Sequence, residues 1–255
     1  MSNIVRQLSV HKEHEVLLKL EAAGLNDDLA QKIVDSKDND LATKVIRLIR
    51  NGGFEPTTSQ KRAREVMGKN YFGIEEAIKR FGVNPSKQQL AALAEIPFSE
   101  ATLKECAKTH ILVAVFPLSI LDIRGKVERK LFCGHECSWY NEQAFAQNYG
   151  EASWQLIRKT PVTDSTSKNW SEQQALIAKN EETPRARAMV YTIIGHYLAT
   201  GERLFENVYV RCSDLDPVGD RVDVGYFAGG LNVGYGHWGD FRIDHLGLAS
   251  SRKFQ

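Results

Sequence analysis

Residues 222–253 read VDVGYFAGGLNVGYGHWGDFRIDHLGLASSRK, and two kinds of position interleave in them. One kind is apolar: Val222, Val224, Phe227, Leu231, Val233, Trp238, Leu246, Leu248 and Ala249. The other is small, polar or aromatic: Asp223, Tyr226, Gly229, Asn232, Tyr235, His237, Asp240, Asp244 and His245. Val222/Val224 and Leu231/Val233 alternate with period two, as strands do when one face is buried. Glycines at Gly225, Gly229, Gly230, Gly234, Gly236 and Gly239 are far too dense for a helix. The stretch therefore predicts a small sheet bearing loops rich in Tyr, Gly, Asn, Asp and His. Binding surfaces use these residue types to combine rigid aromatic anchors with adaptable polar contacts. The candidate ligand-binding residues are Tyr226, Gly229, Asn232, Tyr235, His237, Asp240, Phe241, Asp244 and His245. Phe227, Leu231, Val233, Trp238 and Leu248 are expected to be buried beneath them.

Moving outward, the whole chain has 255 residues, enough for one large or two modest domains. Hydrophobic content of 42%, charged content of 25% and a net charge of +1 are ordinary for a globular protein, and they supply no global field for nucleic acid or membrane. No apolar run approaches the roughly 18 residues of a membrane span. The first residues, MSNIVRQLSVHKEHE, lack the apolar core of a secretory signal. Four cysteines imply no disulfide framework, so a reducing, cytoplasmic setting is expected.

Residues 1–109 read as helical. Leu17, Leu18, Leu20, Ala23 and Leu25 begin an apolar stripe that Leu29, Ile33 and Val34 continue; Leu41, Val45, Ile46, Leu48 and Ile49 supply another, closed by Asn51-Gly52-Gly53. Thr57, Thr58 and Ser59 offer N-caps for a helix through Met67; Ile74 to Phe81 ends at Gly82; Ser86 and Ser99 open two more. Basic spots at Lys61-Arg62-Ala63-Arg64 and Lys79-Arg80 would suit DNA, but Glu65, Glu75 and Glu76 dilute them into an ordinary solvated face.

Near His110 the pattern changes. Residues 111–116 form an apolar run ending at Pro117, a buried strand, with residues 118–123 a second strand or extended link, so the domain boundary falls near Thr109. Residues 154–158 are a further strand. Asn169 and Glu172 make a capping-box pair, and Thr183-Pro184 opens a long helix that buries Met189, Val190, Ile193, Ile194, Tyr197 and Leu198 and stops at Gly201. Residues 208–212 form a strand, and residues 216–220 a turn.

That order of strand, helix, helix and short strands resembles the C-type lectin-like fold. The tail is similar in more detail to the variable region of diversity-generating retroelement target proteins of the lectin-like class. The resemblance implies an α+β chain: an N-terminal helical domain (1–109), then a C-type lectin-like domain (110–255) in which two helices flank a small twisted, mostly antiparallel sheet. It also implies that residues 222–253 mix fixed positions with positions diversified by adenine-directed mutagenesis. Randomising both adenines of an AAC codon can yield Tyr, His, Asp, Ser, Gly or Phe but never Lys, Glu, Gln, Met or Trp. Between Gly219 and Arg252 there is no Lys, Glu, Gln or Met, and the one Trp, Trp238, is assigned to the fixed positions. The helical half lies outside the resemblance.

Other motifs carry less. Residues 234–239 fit G-x-G-x-x-G, but no helix start or downstream acid follows. Cys133 and Cys137, with His110 or Cys106, make half a zinc set without a second pair, so no metal is expected. Asp214, Asp216 and Asp220 lack the bidentate Glu of a calcium loop. Ser250 and Ser251 near His245 have no orienting carboxylate, and His196 falls on the long helix, so no catalytic residue is assigned and no cofactor is expected. The expectation is a non-enzymatic binder of an unidentified protein or peptide. Its helical half would position it, dock it to a carrier or make it a homo-oligomer. The alternative is a DNA-associated or defence-related effector that recognises through residues 1–109.

Overall fold

The computed structural model describes residues 9–37, 41–42, 45–46, 57–134, 138–234 and 242–253. The chain divides into two units, Met1–Glu55 and Pro56–Gln255. In the first, Ser9 caps α1 (Val10–Ala22) and Asn26 caps α2 (Asp27–Val34), each by accepting a backbone N–H in the first turn. Neither helix buries a residue; Leu17, Leu18, Leu20, Leu29 and Val34 of the expected stripe are exposed.

The second unit holds eleven short strands among its described residues: β1 (Thr58–Ser59), β2 (Tyr71–Phe72), β3 (Glu95–Ile96), β4 (His110–Val115), β5 (Ser153–Arg158), β6 (Glu181–Glu182), β7 (Tyr209–Leu215), β8 (Arg221–Gly225), β9 (Asn232–Gly234), β10 (Leu246–Leu248) and β11 (Ser251–Arg252). β1 pairs with β3; a five-stranded sheet runs β2-β4-β5-β11-β6; a four-stranded sheet runs β10-β7-β8-β9. The larger sheet is antiparallel except for β2 on β4, and the smaller except for β10 on β7. The architecture is mixed α+β with separate sheets and no barrel.

Between the strands run α3 (Gln60–Met67), α4 (Ile74–Phe81), α5 (Lys87–Ala92), α6 (Glu100–Cys106), α7 (Ile120–Lys126), α8 (Ala144–Gln147), α9 (Trp170–Gln174) and α10 (Ala186–Thr200). The polar residues at their starts decide where they begin. Ser59, Ser86, Ser99, Ser119 and Asn169 each accept the N–H three residues on, satisfying a donor the helix leaves unpaired. Gly82 and Gly201 end α4 and α10 in the left-handed conformation.

α10 is the axle of this unit. It is apolar on nearly every side, and residues Ala186 through His196 are all buried, as a helix without a polar face requires. It packs on β4 of the larger sheet and on β7 and β8 of the smaller. Phe72 meets Phe81 and Tyr191 at ring-centroid distances of 5.7 and 6.1 Å, and the buried Trp154 indole donates to the Leu93 carbonyl at 3.0 Å. Side chains from both sides of Thr109 thus build one core.

That shared core moves the division of the chain from the expected Thr109 to residues 55–56. The helices of residues 57–109 close over the sheet, and β2 joins β4 edge to edge. Residues 118–123, read as extended, instead enter α7, because Ser119 and Asp122 form a reciprocal cap at its start. Among the described residues no helix is long and apolar enough to cross a membrane.

Candidate functional site

The register of the smaller sheet sorts its residues onto two faces. Val224 pairs with Val210 on one side and with Val233 on the other, and all three are buried with Val222 and Cys212. The intervening positions point the other way, as strand geometry demands. They are Tyr209 and Arg211 on β7, Asp223 and Gly225 on β8, and Asn232 and Gly234 on β9. This second face carries the candidate site.

Three rings gather at its edge. Tyr226 N donates to Val208 O and Tyr209 N to His245 O, so the entry to β7, the exit from β8 and the entry to β10 meet. Tyr209 and Tyr226 stack at 5.3 Å with 14° between their planes, and His245 stands 6.3 and 6.5 Å from the two. Tyr226 has φ of 51°, a left-handed conformation unfavourable for a large side chain and found where surroundings impose it. Asn232 helps to impose it, its amide donating to the Tyr226 and Gly230 carbonyls at 3.3 Å each. His245 Nδ1 lies 2.7 Å from Asp244 Oδ1.

Beside the rings a hollow of about 170 Å³ is lined by Tyr209, Asp223, Asn232, Gly234, Ile243, His245 and Leu246. The Asp223 side chain lies within it although the residue is only 6% exposed. Gly234 makes the room, since a Cβ there would fall 2.2 Å from Asp223 Oδ1. No described residue donates a hydrogen bond to the Asp223 carboxylate or forms an ion pair with it. Its cross-strand neighbour Arg211 donates instead to Lys168 O and Gln173 Oε1, at 3.0 and 2.9 Å. Burial pushes the Asp223 carboxyl up to about 7, with Arg211 and His245 opposing the rise. Burial also raises the Tyr209 hydroxyl, and Asp223 adds to that.

The other sequence candidates are engaged in structure. Ser250 is buried and donates to Glu181 Oε2 at 2.7 Å, far from the chemistry of a nucleophile. Glu181 Oε1 faces His110 Nε2 at 3.8 Å, beyond hydrogen-bond range, and the Glu181 carboxyl is held below its ordinary range by His110 first and then by Ser250. Buried His196 stands 3.3 Å from Glu202, and burial lowers its pKa. Asp216 accepts from Val218 N and Asp220 N, closing the expected turn, while Asp214 accepts from Ala186 N at the start of α10. Arg62 forks onto Glu100 at 2.7 and 2.9 Å, and Arg64 pairs with Glu75 and Glu76, so these basic groups are already matched by carboxylates. Cys106 is buried and Cys133 exposed; among the described residues no three His, Cys, Asp or Glu side chains group as metal ligands.

Of the nine candidate binding residues, Tyr226, Asn232 and His245 come together around the hollow. Asp244 joins them through His245. Gly229 is exposed in the turn before β9 and does not line the hollow. Tyr235, His237, Asp240 and Phe241 lie outside the described residues, as do Trp238, His135 and Cys137. Phe227, Leu231, Val233 and Leu248 are buried, as their spacing predicted. Sequence reasoning missed two members of the site. Tyr209 was read only as part of a strand, although its period-two offset from Val210 marks the same outer face. Asp223 was grouped with the polar positions but left out of the binding set, although its place between two buried valines marks a carboxylate that enters the protein. No family model matches the chain, and neither does any curated protein or solved structure.

Proposed function

We propose that this protein binds a protein or peptide ligand through a diversified face of its C-terminal sheet, on a lectin-like scaffold, and that it is not an enzyme. The observation that carries the reading is the split of β7, β8 and β9 into one face locked in the core and another bearing Tyr209 and Asn232, with Tyr226 and His245 gathered at its edge. A side chain on the second face can change while the valines that hold the strands stay in place. The lectin-like reading draws support from the antiparallel β7-β8-β9 core, and from β11 returning to pair with β5, so that the tail is anchored at both ends. The rings supply rigid contact area at low entropic cost, and the short loops supply hydrogen bonds.

The test is to randomise Tyr226, Gly229, Asn232, Asp244 and His245 together and measure folding and selection in one library. Most members should fold with melting temperatures near the parent's, and selection against unrelated proteins should recover different binders. Loss of folding across the library, or failure to recover any binder, would count against the proposal. Inspection of the coding region gives an independent check: a nearby copy of the tail carrying adenines at the variable positions, beside a reverse transcriptase gene.

A further inference from the structure

We propose that the hollow walled by Tyr209, Asp223, Asn232 and His245 is a subsite for one organic cation, the guanidinium or ammonium head of an Arg or Lys side chain on a peptide or protein ligand. It rests on the reading of this face as a ligand surface and adds what the surface selects.

The groups around the hollow are those a cation needs. Asp223, a residue only 6% exposed, presents its carboxylate to the hollow, and no described residue donates a hydrogen bond to it. A carboxylate taken out of water is costly unless a cation or a proton meets it. Arg211, the one fixed cation across the strand, directs its guanidinium at Lys168 O and Gln173 Oε1 rather than at Asp223. Asn232 gives its amide hydrogens to the Tyr226 and Gly230 carbonyls, which leaves its Oδ1 to accept. Tyr209 and Tyr226 add aromatic rings, whose faces attract cations, and Tyr209 lines the hollow itself.

An anionic group would face Asp223, and an apolar group would seal the carboxylate in without a partner. A hydrogen-bonding cation instead meets the charge, the free amide oxygen and the rings at once. The hollow, about 170 Å³, suits the end of one long side chain, and Gly234, without a Cβ, leaves room for the Asp223 carboxylate beside it. Exposed Tyr226 and His245 at the rim would contact the residues flanking that side chain, which favours a peptide over a free amine.

The experiment titrates the purified full chain with N-acetyl-arginine amide, N-acetyl-lysine amide and the uncharged N-acetyl-citrulline amide, read by shifts of the Tyr and His ring signals. Saturable binding of the arginine or lysine amide is expected, at least about tenfold tighter than the citrulline amide, because a charge-assisted bond replaces a neutral one. D223N should weaken the cationic probes by about tenfold or more while circular dichroism shows the fold retained. Equal response to citrulline amide, no saturable response to either cation, or unchanged affinity in D223N would overturn the proposal; the probe comparison needs no variant to fold. A random-peptide library selected on the parent protein separates the two readings. Tyr226-dependent peptides enriched in Arg or Lys support both. Tyr226-dependent peptides without that enrichment leave the surface reading intact and sink the cation subsite. A library yielding no Tyr226-dependent peptide sinks both.

Discussion

Glu181 and Asp223 are equally buried, each 6% exposed, yet their surroundings differ in kind. Around Glu181 the chain has assembled a buried serine hydroxyl and an imidazole, and the carboxyl sits below its ordinary range. Around Asp223 it has assembled rings, a glycine gap and a hollow, and the carboxyl is pushed up to about 7. Both lie next to strands that the tail contributes, β11 for Glu181 and β8 for Asp223 itself. A buried charge that its own fold satisfies is a structural part. One that no described residue meets with a donor keeps its proton to higher pH.

The largest expected effect removes the common support of the comparison. Phe227 is fully buried, 5.2 Å from the Tyr197 ring and with the Arg203 guanidinium 4.5 Å from its own centroid, so F227A should cost about 3–5 kcal/mol in denaturant unfolding. Next, E181A strips Ser250 of its acceptor and should cost about 1–3 kcal/mol. Because the folded Glu181 pKa is depressed, its contribution is present above the unfolded value and is lost as pH falls through the folded one. The parent should therefore lose stability toward acid more steeply than the alanine variant.

Asp223 should behave with the opposite sign. Its folded pKa of about 7 lies above the unfolded value of about 4, so the folded state holds the proton more tightly and stability declines as pH rises between the two. D223N removes that decline and should gain on the order of 1–2 kcal/mol above neutral pH, with little change near pH 4. A D223N protein less stable than its parent at pH 8 would erase the contrast between the two carboxylates. The smallest effect is at the rim. Y226G exchanges a strained left-handed tyrosine for a residue at ease there and loses one ring stack, so thermal unfolding should move by no more than about 0.5–1 kcal/mol.

The sequence announced the two faces of the tail because period two is a local property. Val222, Val224 and Val233 could be assigned to the core from their spacing alone. Caps were equally legible, at Ser59, Ser86, Ser99 and Asn169, since a side-chain oxygen and its N–H partner are three residues apart. What stayed hidden depends on partners distant in the chain. Trp154 anchors on Leu93, and Tyr71 and Phe72 pair with Leu112 and Val113; these contacts tie residues 57–109 to the sheet and erase the expected boundary at Thr109. Asp223 reads as one polar residue among many, because the described groups that surround its carboxylate come from β7, β9 and the approach to β10, far along the chain.

The placement of β11 has a consequence for which versions of the tail can persist. Ser251 and Arg252 sit between β5 and β6, in the interior of the five-stranded sheet rather than at its rim. A frameshift or premature stop anywhere in residues 222–250 would therefore remove this interior strand along with whatever lies between it and the error. β5 would be left with a bare edge, and Arg158 N without the Ser250 carbonyl that accepts it. Such an edge invites aggregation and proteolysis. A chain broken in this stretch therefore cannot close its larger sheet, whereas exchange of an exposed side chain such as Tyr226 leaves β11 in place.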